Sequence, residues 1–154
     1  MHAFVNELAR PLGTYLYGRR MYETMAPWET MALAEQSPVA GDFALAWRAA
    51  EKVVYSTSLP APTTARTRVE REFDPEAVRR LKADSPRDLG IGGATLAAEA
   101  LDAGVVDELH LLLVPVLVGG GKRAVSTTRH TPLELVDTRR FASGVVHLHY
   151  VVAS

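Results

Sequence analysis

Residues 88–118 read DLGIGGATLAAEALDAGVVDELHLLLVPVLV, and this stretch decides the fold class. Asp88 to Ile91 is a short strand, Gly92-Gly93 a tight turn, and ATLAAEALDA (94–103) a strong helix. The helix stops at Gly104, a residue suited to the left-handed backbone that follows a helix end. Val105 to Val118 is almost continuously apolar, the pattern of a strand buried on both faces of a largely parallel sheet. Pro115 marks a bend or a change of pairing within it. Strand, glycine, helix, strand is the unit from which α/β sheets are built.

The same unit recurs upstream. Thr14 to Tyr17 is a brief strand ended by Gly18, and a helical segment runs from Arg20 to about Met25. Ahead of it, Phe4, Val5 and Leu8 lie at helical spacing from His2 to about Arg10, and Pro11 and Gly13 stop that opening helix. Residues 26–41 form a loop with about one turn of helix, after which Asp42 is the expected N-cap of a helix through Ala50. Lys52 to Ser56 is a buried strand closed by Pro60 and Pro62, and Thr67 to Phe73 alternates as an edge strand. Asp74-Pro75 supplies an N-cap and a first-turn proline for a helix to about Ala83. Downstream, GGGKR (119–123) breaks the apolar run, and LELVDTRRF (133–141) and GVVHLHYVV (144–152) flank a glycine-containing turn as an antiparallel hairpin. The expected class is α/β in a single domain over residues 1–154, a mixed, mostly parallel central sheet flanked by helices and closed by a C-terminal hairpin.

The chain has 154 residues, 47% of them hydrophobic and 23% charged, which suits one soluble globular domain. It has no cysteine, so a disulfide scaffold, a thiolate metal site, an iron–sulfur cluster and a cysteine nucleophile are excluded. Seventeen basic against eighteen acidic side chains leave a net charge of −1, with no electrostatic footprint for nucleic acid. The first residues lack a basic segment followed by an apolar run, and no stretch approaches the roughly 18 apolar residues of a membrane span. A cytoplasmic location and no membrane partner are the expectation.

Two joints stand out chemically, YGRR (17–20) and IGGATL (91–96), because a helix N-terminus offers unpaired N–H groups and partial positive charge to phosphate. At the first, Arg19 and Arg20 add guanidiniums able to bind phosphate bidentately. The alternative is an ordinary turn glycine beside two surface arginines. Gly90 to Thr95 fails the dinucleotide fingerprint G-x-G-x-x-G because Thr95 holds the third glycine position. GGGKR likewise fails as a P-loop, with Val116 at the first glycine position and Arg123 where Ser or Thr should hold magnesium. His147 and His149 share one face of a strand, but no third metal ligand is evident. They read as polar residues on a solvent-facing side, opposite Val146, Leu148, Tyr150 and Val152. His110 reads as a buried or edge histidine. Ser56, Thr57 and Ser58 follow a strand without a His–Asp set and suit hydrogen bonding at its end.

In order and spacing, YLYGRRMYETM (15–25), KVVYSTSL (52–59), LGIGGATLAAEAL (89–101) and VDELHLLLVPVLVGGGKR (106–123) resemble the dihydrofolate-reductase-like superfamily. The resemblance is greatest to the branch holding the C-terminal reductase domain of riboflavin-biosynthesis deaminase-reductases. It implies NADPH bound across the carboxyl ends of the strands, with Gly18 and Arg19 at the adenosine phosphates and Arg20 nearby. Ser56 and Thr57, with Ser58 beside them, would flank the adenosine end. Gly92-Gly93, similar to the family's cis glycine pair, would lie between nicotinamide and pyrophosphate. Ala94, Thr95 and Leu96 would offer N–H groups to the pyrophosphate, and Ile91 would pack near the nicotinamide.

The chain departs from relatives at Met21, where many carry threonine, and the first strand of their sheet is expected to be missing here. Folate reduction is disfavoured because no carboxylate aligns with the pterin acid. The catalytic acid is left unassigned, with Asp42 and Glu23 placed suitably but better read as a helix cap and a surface charge. The implied function is an NADPH-dependent oxidoreductase resembling 5-amino-6-(5-phosphoribosylamino)uracil reductase, acting on a small polar substrate. The rivals are a non-catalytic nucleotide-binding dimer of the same fold and a purely structural domain. A homodimer is expected, because relatives in this branch are commonly dimers and the apolar run plus the hairpin expose more β surface than a small monomer covers.

Overall fold

Helices and strands alternate up to residue 113, save for two consecutive helices between residues 19 and 49 and two consecutive strands between residues 51 and 70, and the chain ends in two further strands, in a computed structural model that describes the backbone of residues 1–154 and every side chain except that of Ala34. The helices are α1 (His2–Ala9), α2 (Arg19–Met25), α3 (Pro38–Ala49), α4 (Pro75–Asp84) and α5 (Ala94–Asp102). The strands are β1 (Leu12–Gly18), β2 (Glu51–Tyr55), β3 (Thr67–Glu70), β4 (Asp88–Gly92), β5 (Glu108–Leu113), β6 (Leu133–Arg140) and β7 (Val146–Val152). They form two sheets. The first is parallel throughout, in the order β3-β2-β1-β4, and the second antiparallel, in the order β5-β7-β6. Thus β4 and β5 are both edge strands, and the expected mixed sheet is divided between a parallel and an antiparallel half.

The parallel sheet is buried on both faces, and the two-residue period of β1 sorts its side chains. Tyr15 and Tyr17 join Tyr22, Trp47 and Val54 on one side, while Leu16 joins Val78, Leu96, Ala100 and Val105 on the other. Trp47 is fully buried and its Nε1–H donates to the Tyr17 hydroxyl at 3.0 Å. Beneath it, the Lys52 ammonium donates to the Trp47 and Ala50 carbonyls at 3.0 and 2.8 Å and lies 4.2 Å from the indole centroid. A buried cation here caps carbonyls at the end of α3, where the Trp47 carbonyl also accepts the Ala50 N–H at 3.3 Å. Burial pushes the Lys52 pKa down, and the nearby Glu29 and Glu51 oppose that shift.

Helix boundaries follow local chemistry. Asp74 accepts from the Glu76 N–H at 3.0 Å with Pro75 in the first turn, and Gly104 takes φ +69 after α5, as the sequence implies. Asp42 is not an N-cap. The helix begins earlier, with Ser37 accepting from Ala40 N–H at 3.3 Å and Pro38 in the first turn, so Asp42 sits within it and is exposed. A Ser-Pro start outcompetes a later aspartate because proline already holds a helical φ and has no N–H to leave orphaned.

The apolar run 105–118 also differs from expectation. Only Glu108–Leu113 is a strand, it pairs antiparallel with β7, and it is not buried on both faces. Leu113 is exposed, and Leu117 is 100% exposed. Apolar composition records an aversion to water without naming the surface that covers it. The β7 histidine face meets solvent at half-buried His149 but not at His147. His147 is 2% exposed, because α1 lays Phe4 against it at a centroid distance of 4.6 Å and against Phe141 at 5.3 Å.

Candidate functional site

At the carboxyl ends of β1, β2 and β4 lies a cleft of about 820 Å³, lined by residues of the two glycine joints and the hydroxyl segment. Gly18 caps α2 in an extended conformation (φ −73, ψ 166), and Gly93 caps α5 with φ +102, which a side chain would strain. The joints converge: a Cβ built on Gly93 would lie 3.9 Å from the Gly18 nitrogen, whereas one built on Gly18 meets no protein atom within 4 Å. Two helix N-termini therefore face one open volume, and the glycine at the first keeps it clear.

Of the sequence-predicted residues, Gly18, Arg19, Arg20, Ser56, Thr57, Ser58, Gly93, Ala94, Thr95 and Leu96 line the cleft. Gly92 and Ile91 lie just behind it. A Cβ on Gly92 would meet Met21 and Tyr17 side chains at 3.2–3.3 Å, and Ile91 packs against the Leu16, Val53 and Leu96 cluster. The Gly92–Gly93 peptide is trans, in contrast to the cis pair that the sequence resemblance implies, and the chain turns through the positive φ of Gly93. Asp42 lies elsewhere, in a smaller cleft with Asn6, Ala9 and Arg10. Glu23 pairs with Arg19 at 2.8 Å on the exposed flank of α2.

The cleft is electropositive. Arg19, Arg20, Arg71 and Lys122 line it against one carboxylate, Glu99. Arg19 is positioned from both sides, with Nε on Glu23 and NH1 donating to the Ser58 hydroxyl at 2.8 Å. The Ser56 hydroxyl accepts from the Ser58 and Leu59 N–H groups at 3.2 and 3.0 Å, which shapes the β2 exit so that Ser58 reaches Arg19. Arg71 braces the same turn by donating to the Ser56 and Leu59 carbonyls at 3.0 and 2.6 Å. Tyr55 and Phe73 make a T-shaped contact at 5.4 Å along the wall, and burial pushes the Tyr55 phenol up.

Tyr22 anchors α2 beneath the cleft. Its hydroxyl accepts from the Thr63 and Thr64 N–H groups at 2.9 and 3.1 Å and shares a 2.9 Å hydrogen bond with the Thr64 hydroxyl. Sequence reasoning missed Arg71, Lys122, Thr24 and Glu99 as lining residues. Lys122 follows three glycines, a signal read as a failed P-loop and as part of the family-like segment 106–123 but not assigned to the cleft, while the others carry no local signature.

The RibD C-terminal domain family matches residues 1–147. A 77-residue stretch is 38% identical to the uncharacterized protein YyaP of Bacillus subtilis (strain 168), covering 49% of this chain and 41% of that protein. The match thus spans less than half of that relative. A putative riboflavin biosynthesis protein from Shewanella sp. PV-4 has the same fold with a TM-score of 0.75 at 14% identity, over 99% of this chain and 80% of that one. A pyrimidine reductase-like protein from Corynebacterium diphtheriae gives 0.62 at 15% identity, over 95% and 78%. The Thermotoga maritima diaminohydroxyphosphoribosylaminopyrimidine deaminase/5-amino-6-(5-phosphoribosylamino)uracil reductase also gives 0.62, at 17% identity, over 97% and 48%. The architecture is the dihydrofolate-reductase-like one that the sequence resemblance implies.

Proposed function

This chain belongs to the RibD C-terminal domain family, and from that membership together with its cleft we propose that it is an NADPH-dependent reductase of a small polar substrate resembling the ribosylamino-pyrimidine phosphates. The observation that carries the reading is the convergence of the Gly18 and Gly93 helix ends on one cleft with four cations and one carboxylate. Such a donor set suits a ligand with several phosphate groups, because N–H groups at helix ends and guanidiniums both favour anions. Its volume lies within the roughly 300–1,000 Å³ common for cofactor sites.

NADPH, if bound in this cleft, would supply the hydride. In this reading Gly18, Arg19 and Arg20 hold its adenosine-side phosphates and Ser56 and Thr57 flank the adenosine. Ala94, Thr95 and Leu96 serve the pyrophosphate, with the Gly92-Gly93 pair between it and the nicotinamide and Ile91 packed near the nicotinamide. The chain's own contribution is positioning: Glu23 and Ser58 hold the Arg19 guanidinium, and Tyr22 holds α2.

Calorimetric titration with NADPH and with NADH tests the proposal. Expected are binding of NADPH and a loss above tenfold in Arg19→Ala, about 1.4 kcal/mol. Absence of binding by either nucleotide refutes it. Binding without NADPH oxidation by any ribosylamino-pyrimidine acceptor would favour the non-catalytic nucleotide-binding rival.

A homodimer belongs to the same proposal. Val114, Val116, Leu117 and Val118 are exposed in succession, with Leu133, Leu135 and Val136 exposed on β6. An apolar surface of this kind, on β6 and on the segment that follows β5, supports a second copy as its cover.

A further inference from the structure

We propose that Glu108, His110 and His149 bind a divalent transition-metal ion of the zinc type across β5 and β7. The site is separate from the NADPH reading and stands without it.

Strand register assembles the ligands. Glu108 and His110 are two apart on β5 and so share a face, and His149 on the central strand β7 is the direct cross-strand partner of His110. His149 Nε2 lies 2.8 Å from Glu108 Oε2, and His110 Nε2 lies 3.6 Å from the same oxygen. One ligand atom from each residue falls within 4.8 Å of the others. Bond lengths near 2.0–2.2 Å place the ligands of one zinc ion roughly 3–3.5 Å apart, so a small closure suffices. The His110 and His149 rings are stacked 4.2 Å apart at 17°, so their ring nitrogens sit side by side, and binding turns the rings toward a common point through soft side-chain torsions.

A third histidine holds the site from behind. His110 Nδ1 is 3.0 Å from Nε2 of the buried His147, which Phe4 packs against. Fixing one ring nitrogen in this way leaves the other, Nε2, on the side of Glu108 and His149, the outer-shell arrangement that orients metal-binding imidazoles. The remaining His147 nitrogen, Nδ1, is buried without a hydrogen-bond partner among the described residues. His147 is therefore committed to His110 alone, a costly placement for an imidazole that only fills space.

The donor set selects the ion. Two imidazoles and one carboxylate favour zinc and its first-row neighbours over calcium and magnesium, which prefer all-oxygen shells. The Glu108 side chain is 56% exposed, so water completes the coordination.

The full-length protein, stripped with chelator and dialysed, is titrated with Zn²⁺ by calorimetry, and a separate metal-free sample is loaded with Co²⁺ as a spectroscopic reporter of coordination before Zn²⁺ is added. Expected are one ion per chain, a visible Co²⁺ band that Zn²⁺ displaces, and a melting temperature raised by Zn²⁺. His149→Ala and Glu108→Gln, both at solvent-accessible positions, each weaken binding at least tenfold, whereas His130→Ala at an exposed histidine outside the cluster leaves it unchanged. Absence of stoichiometric binding overturns the proposal, as does equal affinity in the double variant Glu108→Gln/His149→Ala. Either result would leave a hydrogen-bonded cluster only.

Discussion

Replacing Gly18 by alanine separates a glycine kept for a ligand from a glycine kept for a turn. Its backbone (φ −73, ψ 166) is ordinary extended conformation, and an added Cβ meets no protein atom within 4 Å. The folded state therefore takes the methyl without strain. Alanine restricts the unfolded chain, a gain of about 0.4–1 kcal/mol, but caps a helix less well than glycine, a loss of similar size. Stability should stay within about 0.5 kcal/mol of the parent, or roughly 2 °C in Tm for a domain of this length. Binding should not stay. The methyl occupies the cleft at the start of α2, and losing one charge-assisted contact to a phosphate there costs about 1.5–3 kcal/mol, roughly 10–150-fold in Kd. Scanning fluorimetry without nucleotide and calorimetry with NADPH read the two quantities. Unchanged Tm with unchanged Kd would refute the reasoning and leave Gly18 an ordinary turn residue. Gly93→Ala is the internal contrast: at φ +102 a side chain costs about 1–3 kcal/mol, so Tm falls before any nucleotide is added.

Tyr22→Phe removes the oxygen that receives the Thr63 and Thr64 N–H groups. Those groups are partly open to water, so the expected cost is about 2 kcal/mol, seen as a lower urea midpoint at unchanged slope. A change under about 0.5 kcal/mol would contradict the anchoring role. Asp102 holds residues 127–129 through the Thr127 and Thr128 hydroxyls and the Thr128 and Arg129 N–H groups, and these hydrogen bonds lower its pKa to about 2. Because the folded pKa lies below the ordinary carboxylate value of 3.8, its contribution is complete above pH 4 and is lost as pH falls toward 2. Amide exchange at Thr128 and Arg129 should quicken relative to the core over that window, and Asp102→Asn should remove the pH dependence. Leu117→Asp, at the most exposed apolar position, should convert a dimer in sedimentation into a 16.8 kDa species. A parent protein that sediments only at 16.8 kDa across micromolar concentrations would dispose of the dimer.

Much of the site was legible because its signals are local. Gly18-Arg19-Arg20 and Gly93-Ala94-Thr95 announce helix ends within three residues, and backbone geometry alone then supplies the N–H groups. Arg71 and Lys122 were not legible. Each reaches the cleft from a segment with its own local explanation, an edge strand and a glycine-rich break. Asp42 shows an error of a different kind: the better cap, Ser37-Pro38, was present in the sequence but lay in what read as a loop.

The contrast is sharpest in the antiparallel half. Sequence alone determined the hairpin, because alternation on both sides of a turn containing Gly144 (φ +86) admits few other structures. It also placed His147 and His149 on one face, since side chains alternate with a period of two. Only the tertiary structure decided what lay opposite them. The β5–β7 register brings His110 and Glu108 across from His149 over about 40 residues of chain, and α1 buries His147 under Phe4. The same division separates the apolar run 105–118 from its surroundings. Hydrophobicity belongs to a residue, whereas burial belongs to the surface that meets it, and that surface comes from elsewhere in the chain or from a partner.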